Sequence, residues 1–239
     1  MDLFIARQPI FTVKQAVYAY ELLFRSGPAN VFPDVDHNHA SARVIADSLF
    51  NLGLQTLTGG KLAFINMTRD LLLGDYAVLL PRDETVIEVI ETVTPDEKVV
   101  EACRRLKAAG YRIALDDFVG KAEMAPLVAL ADIIKVDFLA TRKAERRALV
   151  KRYAPRGVCL LAEKVETQEV FREAADLGYT YFQGYFFAKP VVMQATAAPE
   201  FRLTYLTLLQ ETLKPDLDLR RIAAVIGRDV TLSYKLLRL

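Results

Sequence analysis

Asp116 and Asp117 stand side by side after the apolar run Ile113-Ala114-Leu115, and other polar residues end similar runs along the chain. Glu21 ends Ala19-Tyr20, Asn66 ends Ala63-Phe64-Ile65, and Glu91 ends Val86-Ile87-Glu88-Val89-Ile90. Lys135 follows Ile133-Ile134, Glu163 follows Cys159-Leu160-Leu161-Ala162, and Gln183 follows Tyr181-Phe182. If the apolar runs are strands of one parallel barrel, their C-terminal ends converge on a single mouth, where such folds build their sites. The acids Glu21, Glu91, Asp116, Asp117 and Glu163 then meet an amide and one lysine. That much like charge is costly unless cations neutralise it. Carboxylates and an amide, without cysteine or histidine, suit Mg²⁺, Mn²⁺ or Ca²⁺ rather than zinc. Consecutive aspartates can set one carboxylate between two ions about 3.5–4 Å apart, the layout of two-metal phosphodiester hydrolysis. Lys135 and Glu163 are then placed to position or deprotonate the attacking water.

The elements needed to position these residues are legible. Strand-like runs cover residues 4–10, 17–24, 62–67, 85–91, 112–118, 132–138, 158–165 and 180–187, with helical patterns over 41–52, 96–109, 124–131, 141–153 and 168–177. Asp96 follows Thr94-Pro95 at one helix start, Thr167 opens another, and Gly110 and Gly178 end them. Eight strand candidates alternating with helices predict a TIM-like (β/α)₈ barrel. The link from Thr12 to Ala16 is too short for a helix, so the first two strands form an antiparallel hairpin and the barrel is irregular at its start. Gln194-Ala195-Thr196-Ala197-Ala198-Pro199 reads as a linker, which divides the chain into a barrel over 1–195 and a helical tail over 196–239. Within the tail, helices are expected over 201–213, 219–226 and 232–239.

Composition narrows the class. The 239 residues carry 31 Lys and Arg against 30 Asp and Glu, which leaves no basic surplus for a DNA or RNA surface. The two cysteines cannot make a disulfide framework, and no apolar stretch is long enough to span a membrane, so the chain reads as cytoplasmic. His37-Asn38-His39 lies in a Pro- and Asp-rich loop without zinc-type cysteines, and Gly27-Pro28 and Gly59-Gly60 are turns rather than phosphate loops.

In order along residues 1–195, these motifs resemble the EAL-domain family of bacterial cyclic di-GMP phosphodiesterases and receptors. Gln8-Pro9-Ile10 resembles its opening Q-P-I, Glu21-Leu22-Leu23-Phe24-Arg25 its E-A-L-L-R, and Phe64-Ile65-Asn66 its I-N strand. Glu91 is similar to the glutamate of T-E, Asp116-Asp117-Phe118 to D-D-F-G, and Ile134-Lys135-Val136-Asp137 to I-K-I-D. The stretch from Ala162 to Thr167 resembles A-E-G-V-E-T, and Gln183-Gly184-Tyr185 with Lys189-Pro190 the closing Q-G-Y…P. The resemblance implies that Glu21, Asn66, Glu91, Asp116 and Asp117 hold two Mg²⁺ or Mn²⁺ ions, with Ca²⁺ inhibitory. It also implies that Lys135 and Glu163 serve the water, and that Gln8, Arg25, Glu166 and Gln183 contact the dinucleotide or support the site.

Departures from the pattern fall in loops. Leu22 replaces the alanine of E-A-L, Ile90 the threonine of T-E, and Val119 the glycine after D-D-F. Gly120-Lys121-Ala122-Glu123 replaces a T-G-Y-S-S segment, and Lys164 replaces the glycine of A-E-G-V-E. Two functions follow: a metal-dependent phosphodiesterase that opens cyclic di-GMP to pGpG, or a non-catalytic receptor or interaction module. Residues 226–232 and 236–239 resemble the start of an HDOD domain, so the chain is expected to be an EAL–HDOD protein with the HDOD part truncated. The tail's apolar stripes (Leu206, Leu209 and Leu213; Leu219, Ile222 and Ile226) predict a homodimer or a tail docked on the barrel, and a signalling partner reached through it.

Overall fold

A computed structural model describes residues 2–25, 45, 53–196, 207–208, 211 and 218–227. The histidine loop, the Gly27-Pro28 turn, most of the helices expected over 41–52 and 201–213, the helix over 232–239 and most of the HDOD-like stretch lie outside the described residues.

Strands β1 (Asp2–Thr12), β2 (Val17–Arg25), β3 (Leu62–Met67), β4 (Thr85–Val89), β5 (Arg112–Leu115), β6 (Ile133–Asp137), β7 (Cys159–Glu163) and β8 (Tyr181–Phe182) close into an eight-stranded barrel. Neighbours from β2 to β8 are all parallel. As the short link requires, β1 is antiparallel to β2, and it closes the barrel antiparallel to β8. Short helices α1 (Leu54–Thr58) and α2 (Arg69–Leu73) flank β3. Helices α3 (Glu97–Ala108), α4 (Ala125–Val128), α5 (Lys143–Tyr153) and α6 (Gln168–Leu177) follow the later strands. Caps fall where the side-chain chemistry puts them. Asp96 accepts the Val99 N–H at 3.0 Å to start α3, and Thr167 accepts the Val170 N–H at 3.3 Å to start α6.

The structure differs from the sequence reading at the barrel's end. Only Tyr181 and Phe182 pair as β8, against Phe11 and Thr12, so the first half of β1 has no partner from that strand. Residues Val191–Thr196 fill the gap as β9, antiparallel to Asp2–Arg7, where a linker is expected from Gln194. The β-branched pair Val191-Val192 suits an edge strand, and the pairing covers an otherwise open row of backbone groups.

Two apolar layers hold the barrel. The larger lies between strands and helices, with Ile65, Leu106, Ile134 and Leu160 buried in it. The smaller fills the barrel itself: Ile10, Ala19, Phe64, Val86, Ala114, Ile133 and Leu161, with Tyr18 stacked on Tyr181 at 4.1 Å between ring centres. The inner layer is the floor on which the site stands. The tail's described helix α7 (Leu219–Gly227) buries none of its residues. Among the described residues no helix is long and apolar enough to cross a membrane.

Candidate metal and catalytic centre

Side chains alternate between the two faces of a strand, so the residue two places beyond a floor residue also points inward, one step nearer the mouth. Beyond Ala19 comes Glu21, beyond Phe64 Asn66, beyond Val86 Glu88, and beyond Ala114 Asp116. Beyond Ile133 comes Lys135, beyond Leu161 Glu163, and beyond Tyr181 Gln183. In antiparallel β1 the same step runs backwards, from Ile10 to Gln8, which pairs in register with Glu21. One ring of side chains from all eight strands thus lies directly above the apolar floor.

Lys135 is the hub. Its side chain is 1% exposed, and its ammonium lies 2.8 Å from Asp116 Oδ1, 2.9 Å from Glu163 Oε1 and 3.5 Å from Glu21 Oε2, with a further hydrogen bond donated to Glu88 Oε1. Burial alone lowers a lysine's pKa, but these four carboxylates hold Lys135 well above the ordinary value. Gln183 Nε2 donates to Glu21 Oε2 at 2.7 Å and Asn66 Nδ2 to Glu21 Oε1 at 3.4 Å.

The carboxylates divide by environment. Burial pushes Glu88 well above the usual range, and the neighbouring charges of Glu21 and Asp116 add to that. Burial also raises Glu163, to about 8, against the pull of Lys135. Burial and the charge of Asp116 raise Asp117. For Asp116 burial acts upward too, but the Lys135 ammonium outweighs it and the carboxyl stays low.

The mouth is braced by its turns. Asp116 N–H donates to Val89 O at 3.0 Å and Phe118 N–H to Lys135 O at 2.9 Å, which pins the chain to β4 and β6 on either side of Asp117. Asp117 itself sits at φ +41, a left-handed conformation that aspartate tolerates better than most residues. Across the mouth, Val165 N–H donates to Gln183 O at 3.0 Å, and Phe186 N–H donates to Val165 O at 3.0 Å. Gly184 lies so close to that strand end that a Cβ there would come within 2.2 Å of Val165 O, so the contact admits only glycine.

Most of the expected site residues lie around one cleft of about 350 Å³, lined by Gln8, Glu21, Asp116, Asp117, Lys135, Glu163, Lys164, Glu166 and Gln183 among others. Asn66 reaches the same centre through Glu21. Arg25 ends β2 opposite Phe4, and its side chain lies outside the described residues. Glu91 is exposed, beyond the end of β4, and does not reach Lys135; it lines an adjoining cleft of about 330 Å³ together with Asp116, Asp117 and Phe118. Strand β4 instead contributes Glu88, fully buried against Lys135. The spacing held the signal: Glu88 shares the parity of Val86, and Glu91 does not. A second residue missed by the sequence reading is Asp137. Its Oδ1 accepts the Leu139 and Ala140 N–H groups at 2.6 and 3.0 Å, and its Oδ2 accepts from the Lys164 ammonium.

The donor set fits hard divalent cations. Asp116, Asp117 and Glu163 each offer an oxygen within 4.8 Å of the others. Asn66 Oδ1, Glu88 Oε2, Asp117 Oδ1, Glu163 Oε2 and Gln183 Oε1 are buried with no hydrogen-bond partner. Asn66 Oδ1, Asp117 Oδ1 and Gln183 Oε1 are acceptors, and the Glu88 and Glu163 oxygens become acceptors when those carboxyls lose their protons. Buried acceptors without donors are expensive, and an oxygen-seeking cation is what satisfies them.

The family model described as EAL domain matches residues 29–190. Over 239 residues the chain is 36% identical to the cyclic di-GMP phosphodiesterase CdgJ of Vibrio cholerae, covering 98% of this chain and 55% of that protein. Over 243 residues it is also 36% identical to the uncharacterized protein YuxH of Bacillus subtilis, covering 100% of this chain and 59% of that one. The chain therefore spans little more than half the length of either relative. Among solved structures, Klebsiella pneumoniae BlrP1 in a manganese and cyclic di-GMP complex aligns with a TM-score of 0.60 at 24% identity, over 82% of this chain and 59% of that one.

Proposed function

The chain belongs to the EAL-domain family, and we propose that it is a metal-dependent phosphodiesterase that opens cyclic di-GMP to linear pGpG. The observation that carries the reading is the ring of buried, donorless oxygens around Lys135. Glu21, Asn66, Glu88, Asp116 and Asp117 are the proposed ligands of two Mg²⁺ or Mn²⁺ ions, with Glu88 in the place first expected of Glu91. When bound, such ions polarise the phosphoryl oxygen and make water nucleophilic near neutral pH.

The protein's own groups do the rest. Lys135 bridges four carboxylates and so fixes the spacing of ligands from β2, β4 and β5 relative to Glu163 on β7. Glu163, which burial makes more basic than an ordinary carboxylate, has a free Oε2 that is the proposed acceptor of the attacking water's proton. The water oxygen bonds to phosphorus, the P–O3′ bond breaks, and the 3′-oxygen takes up the proton that Glu163 received from the water. Gln8, Arg25, Glu166 and Gln183 are the proposed contacts to the dinucleotide or supports of the site.

The loop after Asp117 favours a second reading, a receptor that binds cyclic di-GMP without turnover. Val119 and Gly120-Lys121-Ala122-Glu123 stand there in place of the family's glycine and T-G-Y-S-S segment. We also propose that the protein is a cytoplasmic homodimer of the EAL–HDOD subgroup, signalling through its helical tail. Leu219 and Ile222 recur at helical spacing on α7, Leu219 69% exposed and Ile222 half-buried. Calorimetric titration with cyclic di-GMP in Ca²⁺, followed by product analysis in Mn²⁺, separates the two readings. Binding followed by pGpG release supports the enzyme, and binding without release supports the receptor. No binding removes both. Mass in solution tests the dimer.

A further inference from the structure

Lys164 stands one residue beyond Glu163, at φ +53, a left-handed conformation unfavourable to a long side chain. A residue kept in such a conformation at the rim of a site points to a role for its side chain. The Lys164 ammonium donates to Asp137 Oδ2 and lies 3.9 Å from Asp117 Oδ1. Asp137 is itself fixed by two backbone N–H groups, so it is a rigid anchor for the ammonium. At 3.9 Å the contact with Asp117 is an ion pair without a hydrogen bond, and Asp117 Oδ1 stays unsatisfied although a cation is near.

We infer that Lys164 is a tethered cation that competes with a divalent ion on the Asp117 side of the centre. The chain thus loads one ion readily and the second only at higher metal concentration. The inference rests on the metal-dependent reading above. A fixed positive charge next to a ligand carboxylate neutralises part of its charge and repels an incoming dication. The Lys164 side chain is 48% exposed, so it can swing into water when the second ion enters, and the competition is reversible. The centre's occupancy then follows the cell's free metal concentration instead of being saturated throughout.

The test is Mn²⁺ titration of the full chain, read by calorimetry and by the paramagnetic resonance signal of free Mn²⁺, with no substrate present. The wild type is expected to show two phases. Lys164→Gly and Lys164→Gln are both expected to tighten the weaker phase about tenfold, whereas Lys164→Arg keeps it. Tightening in Lys164→Gly but not in Lys164→Gln would assign the effect to relief of backbone strain and overturn the inference. Two-phase binding that is identical in all four proteins would also overturn it, leaving the metal centre intact. Absence of Mn²⁺ binding from every form would remove the metal-dependent reading itself. The melting temperatures of the variants report whether each is folded.

Discussion

Replacing Lys135 with methionine keeps the unbranched apolar stem, one atom shorter, and removes the one charge that joins four carboxylates. At 2.8 and 2.9 Å, Asp116 and Glu163 each interact with the ammonium by about 6 kcal/mol in an effective dielectric near 20. Desolvation of the buried ions offsets much of this, and removing one partner of such a buried pair typically costs about 3–5 kcal/mol. Lys135→Met is therefore expected to lose about 3–5 kcal/mol in urea denaturation at pH 8 with chelator present. The deficit should shrink at pH 5, where the stranded carboxylates take up protons, and again at pH 8 with Mn²⁺, which supplies the missing positive charge. A variant within about 1 kcal/mol of wild type at pH 8 in chelator would refute the hub role of Lys135.

Glu88→Gln is expected to weaken Mn²⁺ binding at least about tenfold and Glu91→Gln to leave it within about twofold; calorimetry decides, and the reverse order would return Glu91 to the ligand set. Gly184→Ala should destabilise by about 1–3 kcal/mol or more, because its Cβ meets the Val165 backbone, and a melting curve equal to wild type would show that the two loops can part. Folded Glu163 keeps its proton to about pH 8, whereas the unfolded chain releases it near 4.5, so its contribution to metal-free stability is complete below pH 4.5 and is lost as pH rises towards 8. Glu88 acts in the same direction. Glu163→Gln should flatten that part of the stability–pH curve, as denaturation from pH 4 to 8 will show.

The barrel was legible because buried parallel strands read as apolar runs and because Asp96, Thr167 and Gly178 punctuate their helices. The hairpin followed from a link too short for anything else. What escaped the sequence reading depends on geometry that a run of letters conceals. Val86-Ile87-Glu88-Val89-Ile90 looks like one strand ending at Glu91, but the ladder stops at Val89. Parity with Val86, not the position at the end of the run, is what brings Glu88 to Lys135. A buried glutamate within an apolar strand also looks anomalous until the partner lysine two strands away is in place. Asp137 looked like a motif letter and proved to be the anchor of Lys164. Strand β9 was hidden because its need arises from the shortness of β8, a property of the closed barrel rather than of residues 191–196.

The most direct measurement is the fate of cyclic di-GMP incubated with the purified chain and Mn²⁺ at pH 8, with the products separated and weighed by mass spectrometry. The structure predicts linear pGpG in wild type, its loss in chelator, and its loss in Asp116→Asn and Glu163→Gln with the fold intact. Cyclic di-GMP recovered unchanged from a wild-type protein that demonstrably binds both the dinucleotide and Mn²⁺ would contradict the phosphodiesterase and leave the receptor.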